Sequence, residues 1–125
     1  MKRAGGRAVI LAAGLLLCGI AQAVPPPAAQ AEINYLLWTV AASDCEFYRN
    51  GSRYEAKAAA AHLSSKFQYL QARDLVHNAE DFIDKAATRS SLSGLPYAIR
   101  CKGSEDVPTR QWLLVLLARY RDSHK

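Results

Sequence analysis

The stretch Cys45–Tyr54, which reads CEFYRNGSRY, decides the fold because it predicts a β-hairpin. The residues before Asn50 alternate in polarity and are rich in aromatic side chains, as in a strand. Asn50 and Gly51 are residue types that readily adopt the positive φ angles of a type I′ turn. A second strand is therefore expected to return from Ser52.

Segments with the periodicity of a helix precede and follow this hairpin. Apolar residues recur at helical spacing along 32–43, along 55–72, from 78 to about 89, and along 108–121. Asn78 is a favourable N-cap for the third of these helices. After it, Pro96 introduces an alternating segment, 97–101, which predicts a third strand. This order predicts an α+β fold, with four helices packed on a small antiparallel sheet made of the hairpin and the third strand.

The first 23 residues have the three parts of a secretory signal peptide. Basic residues come first, an apolar run spans 8–20, and the sequence Ala-Gln-Ala (21–23) provides a cleavage site. The apolar run is shorter than the roughly 20 residues that a membrane-spanning helix needs, so an uncleaved anchor is the weaker alternative. We therefore expect residues 1–23 to be removed on export to the periplasm, with no membrane insertion afterwards. Residues 24–31 should form an extended Pro-rich tether, and residues 32–125 a single domain.

The charge of the exported chain argues against nucleic acid as a partner. The full sequence carries 16 Lys and Arg against 11 Asp and Glu, a net charge of +5. Three of the basic residues lie in the predicted signal peptide, which leaves a net charge of +2. So small an excess, without a basic cluster interleaved with aromatic residues, is not typical of nucleic-acid-binding proteins.

Removal of the signal peptide leaves two cysteines, Cys45 and Cys101. Thiols of exported proteins oxidise, so we expect a disulfide between them. By constraining the unfolded chain, it would stabilise the domain by roughly 4 kcal/mol. A redox pair and a metal site are the alternatives. The short spacing of a redox pair is missing, and three scattered histidines add too few ligands for a metal. The sequence therefore predicts neither a metal nor a cofactor.

Short segments spread along the exported chain carry a resemblance to a known family. They are EINYLL (32–37), SDC (43–45) with Phe47, RNG (49–51), AHL (61–63) with Lys66, EDFI (80–83), SSLSG (90–94) with PY (96–97), Cys101, and WL (112–113). Together they resemble the YfeK-like family of small exported bacterial proteins, a domain of unknown function. The resemblance implies export and the cysteine pair, and it implies no activity.

The second predicted helix carries the first candidate site. A polar stripe lies beside its apolar face at helical spacing and consists of Glu55, His62, Lys66, Tyr69 and Arg73. In this stripe His62 is a candidate general base, and Lys66 or Arg73 a candidate clamp for a carboxylate or another anion. The alternative is an ordinary solvated helix flank.

The second candidate site is the loop after the third helix, which we call the serine loop. It comprises Ser90, Ser91, Ser93, Gly94, Pro96 and Tyr97. Its hydroxyls would bind a glycan or peptide, or supply a nucleophile, although the Gly-x-Ser-x-Gly pattern is missing. The alternative is a helix C-cap in which Gly94 adopts a positive φ. If the second and third helices pack side by side, His62 or Lys66 should contact this loop.

Two functions are compatible with these sites. The first is a non-enzymatic periplasmic module that binds a protein or envelope component through the stripe, the serine loop, or an aromatic edge formed by Tyr35 and Trp38. The second is a small hydrolase or transferase in which His62 activates a serine-loop hydroxyl. The sequence lacks a nucleophile motif and an acidic residue placed to orient His62, which favours the first function and assigns no catalytic residue.

Overall fold

The computed structural model of the protein describes residues 24–125, so the predicted signal peptide lies outside the described residues. The elements are α1 (Pro27–Ala42), β1 (Glu46–Arg49), β2 (Ser52–Glu55), α2 (Ala56–Gln71), α3 (Ala79–Ala86), β3 (Ala98–Arg100), β4 (Val107–Pro108) and α4 (Thr109–Ser123). Four helices and an antiparallel sheet confirm the predicted α+β class. Within 24–125, none of the helices has both the length and the apolar character needed to cross a membrane.

Helix α1 begins earlier than the sequence predicts. The extended tether expected over 24–31 is wrong from Pro27 onward, because Pro27 opens the helix and Ala29 is already buried. Proline is tolerated in the first helical turn, where its fixed φ suits the helix and its missing N–H has no partner to lose. The first turn of α1 therefore belongs to the folded domain.

The sheet has the strand order β2-β1-β3-β4 and is antiparallel throughout. The predicted hairpin is confirmed, with φ angles of 52° at Asn50 and 79° at Gly51. Phe47 on β1 pairs with Tyr54 on β2 and with Ile99 on β3. Strand β4 was not predicted, because a strand of two residues is too short to show alternating polarity.

The core lies between one face of the sheet and the four helices. Its side chains come from all of these elements and include Ile33, Leu36, Val40, Phe47, Leu63, Phe67, Phe82, Ile83, Ile99, Leu113 and Leu117. Phe82 of α3 is fully buried and packs edge-to-face on Phe67 of α2, with 5.6 Å between ring centroids. Helix α3 starts at its predicted N-cap, where the Asn78 side chain accepts a hydrogen bond from the Asp81 amide at 2.7 Å.

Cys45 and Cys101 form the predicted disulfide. Cys45 directly precedes β1, Cys101 directly follows β3, and the neighbouring residues Glu46 and Arg100 are paired across the two strands. The disulfide therefore closes one end of the β1–β3 ladder, and the chain between the two cysteines contains β1, β2, α2, α3 and β3.

Arg121 on α4 connects three helices through two carboxylates. Its guanidinium donates to Glu32 on α1 at 2.7 and 2.8 Å, and to Glu80 on α3 at 2.7 and 3.1 Å. The hydrogen bond from Arg121 lowers the pKa of the Glu80 carboxyl, and the two carboxylates raise the pKa of Arg121. Glu32 and Glu80 lie 89 and 41 positions away from Arg121 along the chain, so no local sequence pattern predicts these contacts.

We expect Arg121→Met to lower the free energy of unfolding at neutral pH by about 1 kcal/mol, because half-exposed ion pairs contribute little individually. The pKa of Glu80 is lowered in the folded protein, so its contribution is present above its ordinary pKa of 4.5 and is lost as the pH falls through the folded pKa. Urea unfolding of both proteins should show the difference shrinking in acid. Arg119→Met, an exposed change on the same helix, is the control. A difference that stays constant down to about pH 3 would contradict this prediction.

Candidate functional site

His62 and Lys66 on α2 both contact Tyr97, the last residue of the serine loop. The His62 Nε2 atom lies 3.1 Å from the Tyr97 hydroxyl. The Lys66 ammonium donates to the same hydroxyl at 3.1 Å and to the Arg89 carbonyl, also at 3.1 Å. The expected contact between the helical stripe and the serine loop is therefore present at Tyr97, and Lys66 also bonds Arg89, which directly precedes the loop.

Tyr97 is held firmly by its main chain. Its amide donates to the Thr88 carbonyl at 2.9 Å, and its carbonyl accepts from the Thr109 amide at 3.0 Å. Only 5% of the residue is exposed, and it belongs to the core. The bonded main chain and the burial of the residue together place the hydroxyl between His62 and Lys66.

Arg49 is the member of the site that the sequence analysis missed. It is the last residue of β1, two positions after the buried Phe47, so it lies on the same face of the sheet and points towards α2. Its guanidinium lies over the Tyr54 ring, 4.5 Å from the centroid. The alternation of the strand, with Phe47 inward, was the signal that would have identified it.

A small pocket of about 30 Å³ lies between the hairpin and α2. Its lining is Phe47, Tyr48, Arg49, Tyr54, Ala58, Ala59, His62, Leu63 and Tyr97. Compared with the cavity volume that one water molecule needs, this volume has room for about two water-sized groups. Most of the lining is apolar, and the basic residues Arg49 and His62 line the pocket from the hairpin and from α2 respectively.

The site gathers basic side chains whose charge no salt bridge of the described residues neutralises. Burial, followed by the charges of Arg49 and Lys66, lowers the pKa of His62. Burial and Arg49 likewise lower the pKa of Lys66, whereas burial raises the pKa of the Tyr97 hydroxyl. In the described part of the chain, the salt bridges involve neither Arg49 nor Lys66. Two cations and an imidazole therefore share a small volume without a carboxylate.

The hydrogen bonds of this cluster have a direction. An ammonium can only donate, so the Tyr97 oxygen accepts from Lys66. The Tyr97 O–H is then available to donate to Nε2 of His62, whose lowered pKa favours the neutral imidazole at pH 7. In that arrangement His62 carries its own proton on Nδ1.

The serines of the loop have structural partners. The Ser90 hydroxyl, which is buried, accepts hydrogen bonds from the amides of Leu92 and Ser93. The Ser93 hydroxyl donates to the Asn50 side chain and so joins the loop to the hairpin turn. Gly94 has the expected positive φ, 74°, but the helix C-cap is wrong, because α3 ends at Ala86 and Ala87 is its C-cap. Ser91 is exposed, and Leu92 projects from the loop with 91% of its surface accessible.

Two other predicted sites are not part of the pocket. Tyr69 is exposed and packs under Arg73, 3.5 Å from its guanidinium carbon, so the stripe does not reach the site as a whole. In the predicted aromatic edge of α1, Trp38 is 67% exposed, whereas the Tyr35 ring packs on Tyr120. Among residues 24–125, no group of three histidine, cysteine or acidic side chains is arranged to hold a metal.

Comparison with known proteins gives a family and one named relative. Residues 27–121 match the family described as "Family of unknown function (DUF5329)". The chain is similar to the "Uncharacterized protein YfeK" of Salmonella typhimurium, with 39% identity over 69 residues, 54% of this chain and 56% of that protein. The match therefore spans little more than half the length of that relative. No solved structure matches the chain significantly.

Proposed function

This chain belongs to the DUF5329 family, whose function is unknown. We propose that it is a non-enzymatic binding module of the periplasm, which holds an anionic group of a protein or envelope partner on Arg49, His62 and Lys66. The N-terminal signal-peptide pattern supports the compartment.

One observation carries the proposal: Arg49 and His62 line one pocket, Lys66 bonds the hydroxyl of Tyr97 at the same pocket, and no salt bridge of the described residues involves these three side chains. Of the other described arginines, Arg53, Arg100, Arg110 and Arg121 form salt bridges with carboxylates, whereas Arg73, Arg89 and Arg119 form none. At the pocket the positive charges instead repel one another, which is the cause of part of the lowered pKa values of His62 and Lys66. A bound anion would relieve this repulsion and accept hydrogen bonds from the same groups.

The alternative, a hydrolase or transferase that uses His62 and a serine hydroxyl, has less support. His62 Nε2 is engaged with the Tyr97 hydroxyl. The Ser90 hydroxyl accepts hydrogen bonds from amides of its own loop, and the Ser93 hydroxyl donates to the Asn50 side chain in the hairpin turn. The hydroxyls of two of the three candidate serines thus already have local hydrogen-bond partners.

We expect sulfate and acetate to bind saturably at this site, and Arg49→Gln and Lys66→Met each to weaken binding about five- to tenfold, because each removes one charged donor of about 1 kcal/mol. Chemical shifts of the ¹⁵N-labelled protein during titration measure both affinity and location. Arg119→Gln and Lys102→Met change the net charge equally at exposed positions and should leave affinity within about twofold. Equal weakening by the control variants would show a nonspecific charge effect and refute the site.

The pH dependence of sulfate binding provides an independent check, since sulfate does not titrate between pH 5 and 8. The charged and titratable groups that face His62 are Arg49 and Tyr54 from the hairpin, Lys66 from α2, and Tyr97. Protonation of His62 adds a positive charge, so affinity should rise as the pH falls through its lowered pKa. In His62→Gln this rise should be absent. A pH-independent affinity in the unmodified protein would remove His62 from the site.

A further inference from the structure

The pocket behind the cations has an apolar interior whose size depends on two alanines. Ala58 and Ala59 on α2 line it together with Leu63, and the hairpin contributes Phe47 and Tyr54. A longer side chain at position 58 or 59 would occupy the space that the short alanine side chains leave open. The short side chains at positions 58 and 59 thus leave a small apolar space open beside basic side chains.

A bare inorganic anion would contact the cations of such a site but would not fill its apolar interior. Sulfate or phosphate would satisfy Arg49 and Lys66 but leave the apolar interior in contact with water. An anion that carries a short aliphatic group would fill the interior and reach the cations at the same time. The volume of about 30 Å³ admits a methyl-sized group and excludes an aromatic ring.

Building on the proposed function, we propose that the natural ligand is the C-terminal carboxylate of a peptide or protein whose last residue is alanine-sized. The carboxylate matches the planar guanidinium of Arg49, which can donate two parallel hydrogen bonds. The contact of the guanidinium with the Tyr54 ring, 4.5 Å from its centroid, holds Arg49 at the pocket. The methyl group of the last residue fills the space beside Ala58 and Ala59.

A peptide fits the surroundings better than a free short-chain acid. Next to Arg49, the Asn50 side chain holds the serine loop, and this loop exposes Leu92 and Leu95, which are 91% and 53% accessible. Exposed leucines on a loop fixed beside the pocket provide an apolar surface for the residues that precede a C-terminus. A free acid would make no use of that surface.

The decisive experiment compares small probes on the same folded protein. We expect N-acetyl-alanyl-alanine to bind at least tenfold more tightly than acetate, measured by the same chemical-shift titration. Its C-terminal amide, which lacks the carboxylate, should show no saturable binding, and N-acetyl-alanyl-phenylalanine should bind no better than acetate because its ring does not fit the pocket.

A matched pair of variants tests the role of the pocket volume. Ala58→Leu fills the space with a good helix former at an exposed position, so the fold should be retained, as circular dichroism will verify. It should remove the advantage of the alanine peptide over acetate. Ala61→Leu, one turn along the same helix and outside the pocket lining, should behave like the unmodified protein.

The outcomes separate this inference from the function on which it rests. If sulfate binds and depends on Arg49, but the alanine peptide gains nothing over acetate, the peptide proposal fails and the anion site stands. If propionate binds as tightly as the alanine peptide, the ligand is a free short-chain acid and the peptide proposal is wrong. If neither sulfate nor acetate binds, the proposed function itself fails.

Discussion

Replacing both Cys45 and Cys101 by serine should lower the free energy of unfolding by about 2 to 5 kcal/mol, the usual cost of removing a native disulfide from a small exported domain. The bond joins residues 56 positions apart, so its loss gives the unfolded chain much conformational freedom. In the folded state the β1–β3 ladder already holds the two positions together, so the native structure should change little.

Urea unfolding of the oxidised protein and of the double serine variant measures this difference directly. Replacing both cysteines avoids a free thiol that would form dimers. A domain of this size changes its Tm by about 4 to 8 °C for each kcal/mol, so thermal melts should show the effect clearly. A loss of less than about 1 kcal/mol would mean that the crosslink contributes little to stability.

Phe82→Ala should be comparably damaging, with an expected loss of about 3 to 5 kcal/mol. Phe82 is fully buried on α3 and meets Phe67 of α2 edge-to-face, so truncation removes apolar contact area and leaves a cavity between the two helices. Because α2 carries His62 and Lys66, the same change should loosen the pocket. Hydrogen exchange of α2 amides in the variant would detect that loosening.

Trp38→Ala is the control for this core prediction. It removes an even larger aromatic side chain, but one that is 67% exposed on α1. Surface changes of this kind usually alter stability by less than about 0.5 kcal/mol. If the two variants lost similar stability, burial of the ring would not be the reason for the loss at position 82.

The local patterns of the sequence predicted most of the fold. The pair Asn50 and Gly51 predicted the hairpin turn, and Asn78 predicted the start of α3, because each acts through residues only a few positions away. The start of α1 was predicted wrongly because consecutive prolines suit both an extended segment and a first helical turn. Strand β4 depends on pairing with β3 across a turn and left no periodic signal.

The site was predicted only in part for a related reason. Helical spacing placed His62 and Lys66 on one flank of α2, and the expected contact with the serine loop is present at Tyr97. Helical spacing also selected Tyr69, which the structure leaves outside, because equal spacing does not show how far a neighbouring loop extends. Arg49 was overlooked because it reaches the pocket from a different element, through the packing of the hairpin on α2.

The disulfide also determines how the protein would respond to a protease. The most exposed part of the serine loop, around Leu92, is an evident point of cleavage, and it lies between Cys45 and Cys101. A single cut there would open the backbone without separating the two pieces, which would remain covalently joined until a reductant was added. Arg49, His62, Lys66 and Tyr97 all lie within this crosslinked segment, so a nicked molecule would still carry every group of the pocket on one covalent unit.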